Sequence, residues 1–189
     1  MPTLIFQPVL THPALVAPSV LKAVENWQGQ TARDEIKVAE IDPALCGGNE
    51  LFAHYNLDPL EGANCLVVEA KRGDNKTLCA CLAPVGFKMD LGGVLRKHVN
   101  ARIVSMAPLD FVLEATQMEH GSVTPVGLPP EWRIFIDANL KDTKRLIVGG
   151  GLKKSKLQLP LTALLELPQA ELLEGLGKKI EPLPKDSEK

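Results

Sequence analysis

The sequence predicts an α/β domain of the α+β kind, with a mixed sheet and helices packed on it. Three observations lead there. Apolar and polar residues alternate through Ile36 to Ile41, the period-2 signature of a strand, and other short apolar runs read as strands as well. Two of those runs flank the turn Lys71-Arg72-Gly73-Asp74-Asn75, which reads as a hairpin. Helical spacings separate other strands, so hairpins and helices are interleaved rather than strictly alternating.

The elements follow in order. Residues 1–17 are apolar, interrupted by Pro2, Pro8 and Pro13, and read as an extended arm. Pro18-Ser19 opens a helix to about Gln28, with Leu21, Val24 and Trp27 on its apolar side. Ile36 to Ile41 alternates as a strand and stops at Asp42-Pro43. Gly47-Gly48-Asn49 precedes a short helix, Glu50 to Asn56. Cys65 to Ala70 and Thr77 to Ala83 are the hairpin strands. Asp90 N-caps a helix to about Val99. Ala101 to Ser105 is a strand. Pro108 to Thr116 is a helix with Leu109, Val112 and Leu113 inward. Gly121 to Pro130 is a loop. Trp132 to Ile136, Arg145 to Val148 and Lys156 to Leu159 are strands. Pro160 to Leu167 and Gln169 to Leu176 read as helical, and a charged, flexible tail covers 178–189.

The chain has 189 residues, enough to bury a core without staples. Aromatic residues are 4% of the total, so the core is aliphatic and a base-stacking platform is disfavoured. The net charge of -2 excludes a strongly basic DNA-coating protein, so DNA is not expected as a partner. No apolar run is long enough to span a membrane, and Met1 to Leu10 has no secretory pattern. A reducing, cytoplasmic setting is therefore expected, with Cys46, Cys65, Cys79 and Cys81 as free thiols. Cys79 and Cys81 share one strand face. With Cys65 on a neighbouring strand they raise the alternative of a thiol or metal protein, but the spacing of a metal-binding Cys-x-x-Cys is absent.

Four features could carry chemistry. The loop Gly121-Ser122-Val123-Thr124-Pro125 lets backbone amides approach a carbonyl oxygen or phosphate closely; as a bland alternative it is a surface connection. Ser122 lies in no nucleophile elbow. Gly149-Gly150-Gly151 ends a strand and suits either a ligand wall or a bulge, and it lacks the phosphate-loop pattern. Asp137 closes the strand Ile134-Phe135-Ile136 and either orients a polar site or caps the turn at Asn139. The basic groups Lys71/Arg72/Lys76, Arg96/Lys97/Arg102 and Lys153/Lys154/Lys156 read as solvated faces, with a phosphate backbone as the other use.

Taken together and in order, these motifs resemble the YbaK/prolyl-tRNA synthetase-associated family, from Pro18 to about Leu176. The resemblance rests on Leu66-Val67-Val68, Leu78 to Ala83 with Pro84, Met89-Asp90-Leu91, Thr116, Gly121 to Pro125, Ile136-Asp137-Ala138 and Val148 to Gly151. It implies one YbaK-like domain over 18–177, a mixed sheet or partial barrel that hydrolyses wrongly charged aminoacyl-tRNA in trans without a cofactor. It implies the tRNA acceptor end as partner. The arm would serve for contact with a synthetase or a second copy. The family's site maps onto Asn64, Gly121 and Ser122 as catalytic positions. Thr116, Val123, Thr124, Pro125, Asp137, Gly150 and Gly151 become substrate-binding positions.

The chain departs from the family's pattern at two places. Active members carry Lys at the start of the strand where this chain has Asn64, and a glycine after Thr116 where it has Gln117. Lys76-Thr77-Leu78 does not restore the lysine, because using it would shift the hairpin by one strand. Loss of that charge implies a rate cost on the order of tenfold, unless Lys71 or Lys88 reaches the pocket. The reading that competes with a deacylase is a catalytically inactive binding or regulatory module.

Overall fold

The computed structural model describes residues 2–180. Its strands are β1 (Gln7–Pro8), β2 (Lys37–Glu40), β3 (Ala63–Arg72), β4 (Asn75–Pro84), β5 (Phe87–Met89), β6 (Ile103–Met106), β7 (Arg133–Asp137), β8 (Arg145–Gly149), β9 (Ser155–Pro160), β10 (Ala170–Leu173) and β11 (Gly177–Lys179). Its α-helices are α1 (Pro18–Glu25), α2 (Gly48–Tyr55), α3 (Arg96–His98), α4 (Leu109–Thr116) and α5 (Leu161–Leu165).

Two sheets enclose the main core. One is antiparallel, in the order β1-β2-β9-β8. The other is mixed, in the order β10-β7-β4-β3-β6, with β7 parallel to both β10 and β4. A parallel bridge between Gly62 and Ile147 joins them beside the start of β3. Side-chain alternation assigns the faces. Val67, Ala80, Leu82, Ile134 and Ile136 meet Val38, Leu146, Val148, Leu157 and Leu159 between the sheets, with Val20 and Val24 of α1. The opposite face of the mixed sheet, with Val68, Cys79, Cys81 and Phe135, packs on Leu95, Leu173 and Leu176. A third cluster lies outside the antiparallel sheet, where Leu51 and Phe52 of α2 cover Ile147 and Ile41.

Several expectations change. The arm is built into the fold: β1 pairs with β2, and Val9, Val16 and Ala17 are buried in the main core. The segment expected as a helix at Gln169–Leu176 is instead strand β10 along the open edge of β7. Gln169 takes φ 55°, which breaks any helix leading in from α5, and the unpaired peptide groups of β7 then override a helix-favouring composition. The predicted tail begins with an ordered strand: Lys178 and Lys179 lie in β11 against β5, and Lys178 Nζ donates to Asp90 Oδ2 at 2.7 Å. Residues 181–189 lie outside the described residues. Asp90 does cap the next turn, accepting from Gly93 N–H at 2.8 Å. That turn is a π-helix over Leu91–Leu95, followed by the single α-turn α3. Leu109, expected inward, is half-exposed.

Candidate functional site

β6 pairs with β3 only from Val68 to Lys71. At the other end of β3, the Gly62–Ile147 bridge ties it to β8. Between these attachments the edge of β3 is open, and a cleft of about 540 Å³ lies along it. Ala107 N–H donates to Val67 carbonyl at 3.1 Å, so that carbonyl points to the β6 side of β3, beyond which the edge is open. By the alternation of an antiparallel ladder, Cys65 turns its peptide groups the same way. The cleft wall is largely apolar, with Val67, Met89, Leu91, Met106, Leu109 and Val112.

The Gly121 loop forms one wall. Gly121 takes φ 84°, which glycine tolerates without a Cβ penalty. The loop is laced to the end of β8: Gly151 N–H donates to Ser122 carbonyl at 2.9 Å, and Glu119 N–H to Gly151 carbonyl at 2.8 Å. A Cβ on Gly149 would collide with the Ser122 carbonyl, so glycine is required for this approach. The loop amides divide by alternation. Ser122 N–H donates to Glu119 carbonyl at 3.0 Å, and Thr124 N–H to Met118 Sδ at 3.5 Å. Those of Gly121 and Val123, both of which line the cleft, have no protein acceptor among the described residues.

Of the candidate positions, Asn64, Gly121 and Val123 line the cleft. The others do not line it. Ser122 and Thr124 are buried, with hydroxyls that meet no partner among the described residues. Thr116 closes α4, its Oγ1 donating to Val112 carbonyl at 2.7 Å. Pro125 lines a separate hollow with Trp27 and Leu128. Asp137 is fully buried and caps the next turn, accepting from Asn139 N–H at 3.4 Å and from its Nδ2 at 3.0 Å. Gly150 carbonyl accepts from Ala17 N–H at 3.3 Å.

The basic residue that sequence reasoning missed is Lys156. It was grouped with solvated lysines, yet it is only 7% exposed and lines the cleft with Asn64 and Gly121. The register explains how. Lys156 lies opposite Ala39 on one side and Gly149 on the other, so small neighbours leave room for its stem. The segment leading into α2 covers that sheet face, and Lys156 Nζ donates to Cys46 carbonyl at 2.7 Å. Burial holds its pKa below the ordinary lysine value. No carboxylate pairs with it among the described residues. The strand alternation in the sequence put Lys156 opposite Leu157, but nothing local showed that this face is covered. Of the lysines considered earlier, Lys88 lines the cleft and is exposed. Lys71 instead pairs with Glu69 at 2.8 Å, and Lys76 pairs with the same carboxylate, whose pKa the two lysines lower.

The cysteines form no metal cluster among the described residues. Cys65 stands opposite Leu82, and Cys81 opposite Leu66, so Cys65 faces the main core while Cys79 and Cys81 face the other one. Burial pushes the Cys79 thiol up to about 11 and Cys65 to about 12, away from thiolate chemistry.

A model of the aminoacyl-tRNA editing domain family matches residues 48–167. Solved structures share the fold. A proposed trans-editing enzyme for prolyl tRNA synthetase has a TM-score of 0.67 at 20% identity, over 84% of this chain and 97% of its own. The hypothetical protein APE2540 has a TM-score of 0.68 at 21% identity, over 82% of this chain and 99% of its own. A structure from computational epitope grafting onto scaffold proteins gives 0.68 at 21%, over 84% and 95%.

Proposed function

The chain belongs to the aminoacyl-tRNA editing domain family, and from that premise we propose that it hydrolyses the ester of mischarged aminoacyl-tRNA in trans, in the cytoplasm. The observation that carries this is the pair of amides at Gly121 and Val123, two residues that line the cleft, without a protein acceptor among the described residues. Water adds to the ester carbonyl carbon, and the negative charge that develops on its oxygen is met by these fixed donors. The C–O bond to the ribose then breaks. The ribose oxygen takes one proton of the added water and leaves as a hydroxyl, and the amino acid leaves as its carboxylate, the other proton passing to solvent. Val67, Met106, Leu109 and Val112 suit an apolar part of the aminoacyl group. Asn64 offers an amide where the family resemblance places a charge, and this favours a second reading, a module that binds the aminoacyl end without cleaving it.

The test is a panel of mischarged tRNAs incubated with the full chain, followed by release of the amino acid. Deacylation of at least one member is expected. No release across the panel, and none gained by Asn64→Lys, would remove the hydrolase reading. Binding of the same tRNAs without release would leave the second one.

A further inference from the structure

We propose that Lys156 and the start of α2 form a buried anion site at one end of the cleft, and that its ligand is a nucleotide phosphate. Lys156 supplies a nearly buried ammonium with three donors, of which the Cys46 carbonyl takes one. α2 begins beside it: Cys46, Gly47 and Gly48 line the same cleft as Lys156. The helix has Gly47 at its N-cap and no side-chain cap hydrogen bond, so its first amides meet no acceptor among the described residues, and the Glu50 carboxylate lies against Gly47 on the solvent side. Glu50, the acidic residue of that turn, is solvent-exposed. Asn64 completes the enclosure. A Cβ on Gly48 would strike Asn64 Oδ1, so glycine lets the helix start and that side chain touch.

The Lys156 ammonium and the first amides of α2 thus converge on one place, and no acidic residue lines the cleft itself. A buried, unpaired charge is costly to fold, and an anion of permanent charge relieves that cost. An ester is neutral before reaction, so it does not do so. In an aminoacyl-tRNA end the permanent negative charges are the phosphates, and an ammonium binds them as a point charge. The apolar wall then receives the nucleoside and aminoacyl parts, with the phosphate at the Lys156 end. Lys156 is in this sense a substrate-positioning group, placed on β9 rather than at Asn64. The inference deepens the deacylase reading and rests on it only for the source of the nucleotide.

Calorimetric titration of the full chain with AMP, adenosine and inorganic phosphate tests it. AMP is expected to bind about tenfold or more tightly than adenosine, the scale of one charge-assisted contact. Lys156→Met should bring the two ligands within about twofold of each other. Lys156→Arg should keep most of the preference, and Asn64→Lys should restore it in the Lys156→Met background. Circular dichroism of each variant separates misfolding from lost binding. Equal affinity of the wild type for AMP and adenosine overturns the site, as does no AMP binding at millimolar concentration, or a preference that survives Lys156→Met. Inorganic phosphate binding as tightly as AMP overturns the nucleotide assignment. These outcomes are independent of the tRNA panel: an inactive chain that prefers AMP loses the hydrolase reading and keeps the site.

Discussion

Lys156 sits where folding alone would not place it. Its only hydrogen-bond partner among the described residues is a neutral carbonyl, and its pKa is held down by burial. The folded chain therefore releases this proton at lower pH than the unfolded chain does. Below the folded value the cost of burying the charge is fully present. Between that value and the ordinary 10.5 the unfolded state binds more protons, so this contribution to stability rises with pH. Lys156→Met should remove the cost while leaving the Cys46 carbonyl without its donor, for a net gain of about 1–2 kcal/mol at neutral pH. Thermal melts from pH 7 to 10.5 check this, and the advantage of the variant should shrink as pH rises. A difference that stays flat with pH would show that the buried ammonium is not its source. Gln117 is a second residue in an unfavourable place. It follows α4 with φ 57°, the left-handed region, at the position where the family resemblance expects glycine.

The contact between the Gly121 loop and the end of β8 sets the site's shape. Gly149→Ala puts a Cβ into the Ser122 carbonyl, so the loop must move away from Gly151 and carry its free amides with it. The proposed deacylation should fall by about tenfold or more, since one misplaced donor already costs that much, with a stability loss of about 1–3 kcal/mol from overpacking. Gly92→Ala is the control, because an added Cβ there meets nothing within 4 Å. Rate assays and melts on the two variants decide the matter: equal rates would mean that the loop position is not what the reaction needs. The same dependence on partners appears in β10. Its residues favour a helix, but the parallel register from Ala170↔Ile134 to Leu173↔Asp137 satisfies the edge of β7.

Across the molecule, the cleft exists because two sheets part along one strand. β3 is held by β4 along its whole length, by β6 at one end and by the β8 bridge at the other. The antiparallel sheet that completes this arrangement depends on the N-terminal arm. β1 extends it, and Val9 is 0% exposed in the core between the sheets. Val9→Ala is expected to cost about 1–3 kcal/mol by lost burial and the cavity left behind. Removing residues 2–17 should lower the melting temperature by many degrees or abolish folding. A truncated chain that melts like the intact one would return the arm to the status of a separate docking segment. On the folded arm, Ile5 and Leu10 remain exposed.

Much of this was legible in the sequence. Period-2 alternation identified β2, short runs bounded by turn residues identified β4, β7, β8 and β9, and the turn at Gly73 identified the hairpin of β3 and β4. Those signals are local, because alternate side chains on a strand must face opposite ways whatever the partner is. The glycines of the loop and of β8 marked places of close backbone approach, and the structure shows that the two approach each other. Local pattern could not say which polar residues face the cleft. Asp137 and Thr116 have the composition of a site and serve as caps, while Lys156 has the composition of a surface and is buried. Burial of a strand's second face depends on what crosses over it, here the segment from Cys46 into α2, more than a hundred residues away in sequence. The sequence by itself determined the inner strands, the hairpin and the glycine loop, since each follows from neighbouring residues, whereas β1, β10 and β11 depend on the partners they pair with. Tertiary structure alone decided where the charge in the cleft comes from, because desolvation and proximity belong to the packed chain.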